Sequence, residues 1–301
     1  MTDIFHSGEL AVQERAGVRQ SASRISLGIH ASIPDFAREL LREQRVAVVA
    51  SVDAQGRVWA SVLTAAANLI EVLGPDALRI RAWPAADDPL RDNARPGAAV
   101  GILAIDLSTR RRVRVNGRLE PAPTGSLLVR TRQVYVNCPK YIQRRVVDAA
   151  LDVRDAPAAA EPRSTLSAAQ QRWITAADTF FIASYHPEAG ADASHRGGNP
   201  GFVRILSDSA LIFPDYAGNT MFNTLGNIAA NPRAGLLFVD FERGSTLQLT
   251  GSATILWDDL RARDFAGADR LVRFSIDAAI EHAGALPWHW QLVERSPHNP
   301  A

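Results

Sequence analysis

The chain has 301 residues, 47% of them hydrophobic and 22% charged, and a formal net charge of +1. These values describe a soluble globular protein with chain enough for a sizeable core or two ordinary domains, and they give no electrostatic reason to bind nucleic acid or an acidic membrane surface. The single cysteine, Cys138, excludes an intrachain disulfide and a cysteine-rich metal site. No window approaches the roughly 18 apolar residues of a membrane span. Residues 1–19 carry acids where a signal peptide needs an apolar stretch, so the cytoplasm is the expected location.

Residues 1–34 are expected to begin with a helix containing Glu9, Gln13, Glu14 and Arg15, then to continue as a looser polar stretch. Asp35 to Gln44 has Phe36, Leu40 and Leu41 at helical spacing, behind a proline suited to a first turn. A strand over 45–51, a turn at 53–56 and a returning strand over 57–64 make a hairpin. A strand over 77–82, a short helix near 88–93 and strands over 99–105 and 111–116 follow.

The same order then recurs. Ala50-Ser51 falls against Ala183-Ser184, Ala60-Ser61 against Ala193-Ser194 and Ala77-Leu78 against Ala210-Leu211, each 133 residues on. Gly101 to Asp106 falls against Gly235 to Asp240, and Gly117 against Gly251, each 134 residues on. So steady an offset marks an internal duplication. Each copy, mainly β with flanking helices, predicts a small antiparallel barrel, and two copies in one chain can cover each other's open faces. The expected division is 1–34, an N-terminal helical segment; 35–120, the first copy; 121–168, a connecting helix (about Gly125 to Leu151) and an Ala/Pro-rich linker; 169–260, the second copy; and 261–301, a C-terminal helix to about His282 with an irregular tail.

Chemistry is expected in the second copy, whose loops are long and polar. Asp192 to Gly201 supplies Ser194, His195, Arg196 and three glycines, a combination suited to gripping a phosphate. Asn219, Asn223, Thr224 and Asn227 gather near a predicted helix start, another natural anion site. Ordinary surface loops explain the same residues equally well. The seven histidines are scattered without metal-ligand spacing, so no metal is expected. The run 135–141, which joins the lone cysteine and the lone lysine to two tyrosines, admits two readings: a helix kinked by Pro139, or a cap that brings Lys140 or a tyrosine over a ligand. Arg110 to Arg112 and Arg114 could form a basic patch for an RNA or phosphate partner, but the near-neutral net charge favours a solvated strand end.

Taken in order, NPGFVRIL, LIFPDYAGNTMFNTLGNIAANPRAGLLFVDF and LQLTG resemble the pyridoxamine 5'-phosphate oxidase-related family of FMN-binding split barrels. FHSGELAVQERAGV and YVNCPKYIQRR resemble its long tandem members, described as predicted flavin-nucleotide-binding proteins, so the likeness covers about residues 5–290. It implies two tandem split β-barrels forming a pseudo-dimer, with FMN held non-covalently at their junction. By the same resemblance the phosphate lies near Asn219, Asn223, Thr224 and Asn227. The ring lies along the strand Gly201, Phe202, Val203 and Arg204 and beside Phe213 and Pro214, and Ser194, His195 and Arg196 close over the ribityl chain or phosphate. The chain departs from the oxidase in having Asn and Thr where that enzyme has a basic Arg-Lys pair. Its first copy lacks the glycine-rich run, so its own flavin site is expected to be lost or altered. The implied activity is that of a flavin-dependent oxidoreductase acting on a small-molecule substrate or electron donor, with His195 and Tyr216 as candidate catalytic residues. The alternative is a non-catalytic protein that binds or senses a flavin (FMN or FAD), F420 or haem. A homodimer is compatible with either.

Overall fold

Strand-forming segments dominate the computed structural model, which describes residues 4–153, 159 and 161–301; residues 155–158 and 160 of the expected Ala/Pro-rich linker lie outside the described residues. The chain opens with α1 (Ser7–Arg15), α2 (Arg19–Ile25) and α3 (Asp35–Glu43). Next come β1 (Val46–Val52), β2 (Val58–Thr64), β3 (Ile70–Val72), β4 (Ala77–Ile80), α4 (Leu90–Asn93), β5 (Ala99–Asp106), β6 (Arg111–Glu120) and β7 (Leu127–Val136). These strands form one antiparallel sheet in the order β2-β1-β5-β6-β7-β4-β3. After β8 (Arg144–Ala150) the plan repeats with α5 (Ala168–Ala176), β9 (Thr179–His186), β10 (Gly190–Gly197), β11 (Arg204–Ser207), β12 (Ala210–Tyr216), α6 (Asn223–Ala230), β13 (Arg233–Asp240), β14 (Ser245–Leu256) and β15 (Ala268–His282). The second sheet runs β10-β9-β13-β14-β15-β12-β11, the first order over again, and β16 (Trp288–Glu294) pairs with β8.

Register confirms the match residue by residue. Ala50 opposes Gly101 in the first sheet and Ala183 opposes Gly235 in the second. A bulge falls at Asn116/Gly117 and again at Thr250/Gly251, each bending a long strand around its core. The fold is two tandem split β-barrels packed as an internal pseudo-dimer. Each barrel has its own apolar interior, centred on Leu41, Leu78 and Ile102 in the first and on Phe180, Phe213 and Phe238 in the second. A third cluster, with Val48, Ala50, Ala60 and Leu103 facing Phe181, Ala183, Ala193 and Leu237, lies between them. The run Ala47 to Ala50 is therefore buried on both faces, which is why it reads as continuously apolar. The approach is close: a Cβ at Gly101 would lie 2.5 Å from Asp192 Cα, and one at Gly235 would lie 2.6 Å from the Val58 carbonyl oxygen.

Several expected elements are corrected. The predicted helix over 125–151 is strands β7 and β8. In β7 Leu127, Val129 and Thr131 are buried in alternation, a period of two that holds the segment against β4 and β6. The predicted helix before His282 is β15, fifteen residues paired to both β12 and β14. Cross-strand pairing overrides the helix propensity of its alanines and acids. The first sheet thus extends past residue 120 and the second past residue 260, the tail carries β16, and the polar stretch before residue 26 contains α2.

Helix α1 clasps α6. Gly8 and Gly226 meet so closely that a Cβ on Gly8 would sit 2.2 Å from the Gly226 carbonyl oxygen. His6 caps α1, its Nε2 lies 2.8 Å from Asn227 Oδ1, and its ring stacks on His186 at 3.9 Å. Burial, and then His186, push the His6 imidazole down to about 4. A folded pKa below the unfolded one means that the unfolded chain takes up the proton first. Stability is therefore intact above about pH 6.5 and is lost as pH falls towards the folded value. Urea midpoints of wild type should drop more steeply between about pH 6.5 and pH 4 than those of His6→Asn, which keeps the cap but cannot titrate. Equal slopes would contradict this role.

Candidate functional site

Where β10 crosses β6, period-two alternation sends Asp192, Ser194 and Arg196 to one face of β10, and Arg112, Arg114 and Asn116 to one face of β6. The two faces meet in the interface between the barrels. Arg114 reaches Asp192 at 3.3 Å, Tyr135 Oη at 3.2 Å and the Ser194 hydroxyl. Tyr135 donates its hydroxyl to Asp192 at 2.9 Å and Asn116 donates its amide at 3.2 Å. Arg196 donates to Ser194 Oγ at 3.3 Å and faces Asp215 at 4.0 Å, while Arg270 donates to Asp215 at 3.0 Å.

This polar layer forms the wall of a two-lobed cleft. The outer lobe lies among Arg112, Cys138, Lys140, Tyr141, His195 and Pro214; the inner lobe runs to the start of α6 at Asn223 and Thr224. Arg114, Arg196, Asp215, Tyr216 and Asn219 are common to both. The lobes measure about 600 Å³ and 410 Å³, counted out to the open mouth. A larger groove beside α5 is floored by the Arg145–Asp178 pair at 2.7 Å. It has no unpaired buried polar atom among its lining residues, so it is the poorer candidate.

The cleft is unsatisfied. The Nε atoms of Arg112 and Arg114, His195 Nε2, Asn137 Oδ1, Asn223 Oδ1 and the hydroxyls of Thr220 and Thr224 are buried without a protein partner, an expensive condition unless a ligand completes them. Five cations, Arg112, Arg114, Arg196, Arg270 and Lys140, meet four carboxylates, Asp192, Asp215, Asp269 and Glu9, the last bound to Asn223 at 2.6 Å. The surplus of positive charge suits an anion such as a phosphomonoester. The electrostatics show the same strain. Burial, and then Arg114, push Arg112 down to about 9. Burial, and then Arg112, hold His195 well below its ordinary value, so its ring is neutral. Arg112 lies 3.3 Å from His195 Nδ1, which makes Nδ1 the acceptor and leaves the Nε2–H free to donate. Burial, and then Tyr141, raise the Tyr216 hydroxyl to about 12.

A strap from Asn137 to Tyr141 covers the outer lobe. Arg112 donates to the Cys138 carbonyl at 2.7 Å, the Tyr141 hydroxyl donates to the Ala217 carbonyl at 3.0 Å, and Tyr141 packs on Tyr216 at 5.1 Å. Tyr141 is itself left-handed, with φ of 66°. The strap passes over Gly197, where a Cβ would lie 2.1 Å from the Tyr141 carbonyl oxygen.

Ser194, His195, Arg196, Phe202, Pro214, Tyr216, Asn219, Asn223 and Thr224 come together around this cleft. Ser194, His195 and Arg196 lie on strand β10, in place of the expected loop, and the expected strand from Gly201 begins only at Arg204, after a turn over 201–203 in which Gly201 has φ of 88°. Val203 and Phe213 point into the second barrel's core. Asn227 is occupied by His6 and by Ser184 Oγ at 2.9 Å. The reading of Arg112 and Arg114 as a solvated strand end is overturned: Arg114 is 6% exposed and both line the cleft. Nor is Pro139 a helix kink, since 137–141 is irregular chain. Arg112, Arg114 and Asn116 alternate with apolar Val113 and Val115, a signal that one face of the strand meets something other than water.

Residues 166–286 match the model of the family described as pyridoxamine 5'-phosphate oxidase. No curated protein matches the chain. Among solved structures, HupZ of Group A Streptococcus is 12% identical, with a TM-score of 0.33, and covers 44% of this chain and 98% of its own. A putative pyridoxamine 5'-phosphate oxidase of Lactobacillus delbrueckii is 15% identical, with a TM-score of 0.33, and covers 39% and 94%. An FAD-binding protein of Mesorhizobium loti is 19% identical, with a TM-score of 0.28, and covers 40% and 97%.

Proposed function

We propose, for a chain that belongs through residues 166–286 to the pyridoxamine 5'-phosphate oxidase family, that its inter-barrel cleft holds one FMN non-covalently and that it is a flavin-dependent oxidoreductase. The observation that carries this reading is the surplus of buried positive charge beside orphaned donors. Arg114 and Arg196 would hold the phosphate, with the hydroxyls of Thr220 and Thr224. Pro214, Tyr216 and the strap at Tyr141 offer the flat apolar surface a ring system needs. Because Arg112 and Arg114 come from the first barrel and Arg196 from the second, one chain supplies both walls of its site.

When bound, FMN supplies hydride or electron transfer. The residues around it bind, orient and exclude water. His195 presents a neutral Nε2–H at the outer lobe. Tyr216 keeps its proton at physiological pH and can donate a hydrogen bond to a substrate or ring atom. Anaerobic addition of NADPH should bleach the flavin band near about 450 nm, and an oxidant should restore it repeatedly. A flavin that stays oxidised with NADPH and with other reductants of that class would mark a carrier and not an enzyme.

A further inference from the structure

We propose that the motif FHSGELAVQERAGV serves the flavin site without lining it, and that Gln13 is a positioning residue that holds the phosphate end of the inner lobe in its binding shape. The inference rests on reading the inter-barrel cleft as an FMN site. The inner lobe is bounded by the loop over 218–222. Two of its residues are left-handed although they carry side chains, Thr220 with φ of 60° and Phe222 with φ of 61°. Such a conformation persists only where the surroundings enforce it. Met221, between the two, is where they are enforced. It is 2% exposed, its N–H donates to Asn219 Oδ1 at 3.1 Å, and its carbonyl accepts from Gln13 Nε2 at 2.8 Å. Its side chain is buried in one cluster with Phe5, Ala22, Ile29 and Tyr135.

The donor side is built as firmly. Gln13 is fully buried on α1, and Arg19 donates to its Oε1 at 3.1 Å, which fixes the amide so that Nε2 is the atom turned to Met221. Glu9 lies four residues earlier on the same face of the helix and accepts from the Asn223 amide at 2.6 Å. His6 meets Asn227 at 2.8 Å. One face of α1 therefore holds the loop and the first turns of α6 at three successive points. A helix that buries Glu9 and Gln13 in place of apolar residues needs a defined partner for each, and both partners belong to the segment that ends the inner lobe. Neither Glu9 nor Gln13 is among the residues lining the two lobes. Their influence reaches a ligand through Thr220 and Thr224, whose hydroxyls are buried without a protein partner. Without the Gln13 bond, Thr220 is free to leave the left-handed region and withdraw its hydroxyl, so the loss falls on the phosphate and spares the ring.

Comparing FMN with riboflavin, which lacks only the phosphate, isolates that effect in fluorescence titrations of the flavin-free, full-length chain. Wild type should prefer FMN. Gln13→Met keeps the length of the side chain but cannot donate, and should cut this preference about five- to tenfold, the contribution of one buried hydrogen bond, while riboflavin affinity holds. Glu14→Gln, at an exposed position of α1, should leave the preference unchanged. Binding and clasping are linked reciprocally. FMN, and not riboflavin, should therefore slow amide exchange across residues 7–15 of the wild-type chain, a measurement that holds even if Gln13→Met does not fold. A folded Gln13→Met that keeps the full preference, an equal loss for both flavins, or exchange that FMN leaves unchanged would overturn the proposal. If Arg114→Ala abolishes the preference and Gln13→Met does not, only the positioning role falls. A wild type that binds both flavins alike would remove the phosphate reading and the positioning role together.

Discussion

Arg114→Ala is expected to lower FMN affinity by about 10- to 100-fold, the worth of one charge-assisted grip on a phosphate, and to destabilise the chain as well. Arg114 joins three groups in one layer: Asp192, Tyr135 and Ser194. Without it, Asp192 is left buried with only the neutral donors Tyr135 and Asn116. Breaking a buried pair from one side costs about 3–5 kcal/mol. Arg114→Lys restores the charge but not the fork that spans these partners, so it should recover part of the stability and little of the affinity. Urea unfolding and FMN titration on the same preparations separate the two effects. Full FMN affinity in the alanine variant would remove this arginine from the site.

The second large effect is at Gly101, in β5. Its absent Cβ is where β10 comes down on β5: the added atom would lie 2.5 Å from Asp192 Cα and 2.7 Å from the Ala191 carbonyl oxygen. Both are backbone atoms, so no rotamer change relieves the clash and the barrels must part. Gly101→Ala should therefore cost about 3 kcal/mol or more, at the upper end of overpacking penalties. FMN affinity should fall with it, because Asp192, Ser194 and Arg196 ride on the displaced strand. Gly235→Ala should match it at the pseudo-equivalent contact with Val58 and Trp59, whereas Gly74→Ala, with nothing within 4 Å of its added carbon, should be close to neutral. Thermal melts that rank the three alike would refute the pseudo-symmetric packing.

The repeated barrel was legible because its landmarks are backbone requirements: a glycine at a close approach and a glycine at a bulge recur at fixed spacing whatever the surface does. Strand β15 was not legible: it mixes arginine, alanine and acid in a way that suits a helix locally, and only pairing with strands far along the chain decides otherwise. Strand β7 carries valines, a threonine and a period of two that argue for a strand, a signal overlooked in favour of a single long connecting helix. Strand β10 was hidden by its polarity. Gly190 to Gly197 looks like a loop because its charges are buried in an inter-barrel layer, an environment that single-segment patterns do not encode. The same limit explains the site. Sequence placed its residues in the second copy, with the run 135–141 as one possible cap, yet Arg112, Arg114 and Tyr135 come from the first barrel, and no spacing rule reveals that β6 faces β10 about 80 residues later.

The central claim is one flavin site built jointly by the two barrels of a single chain. Titrating the flavin-free protein into FMN and following flavin fluorescence measures it most directly. Saturable quenching at one equivalent per chain is expected, shifted to weaker binding by Arg114→Ala from the first barrel and by Arg196→Ala from the second. No saturable quenching, or saturation that either substitution leaves unchanged, would contradict it.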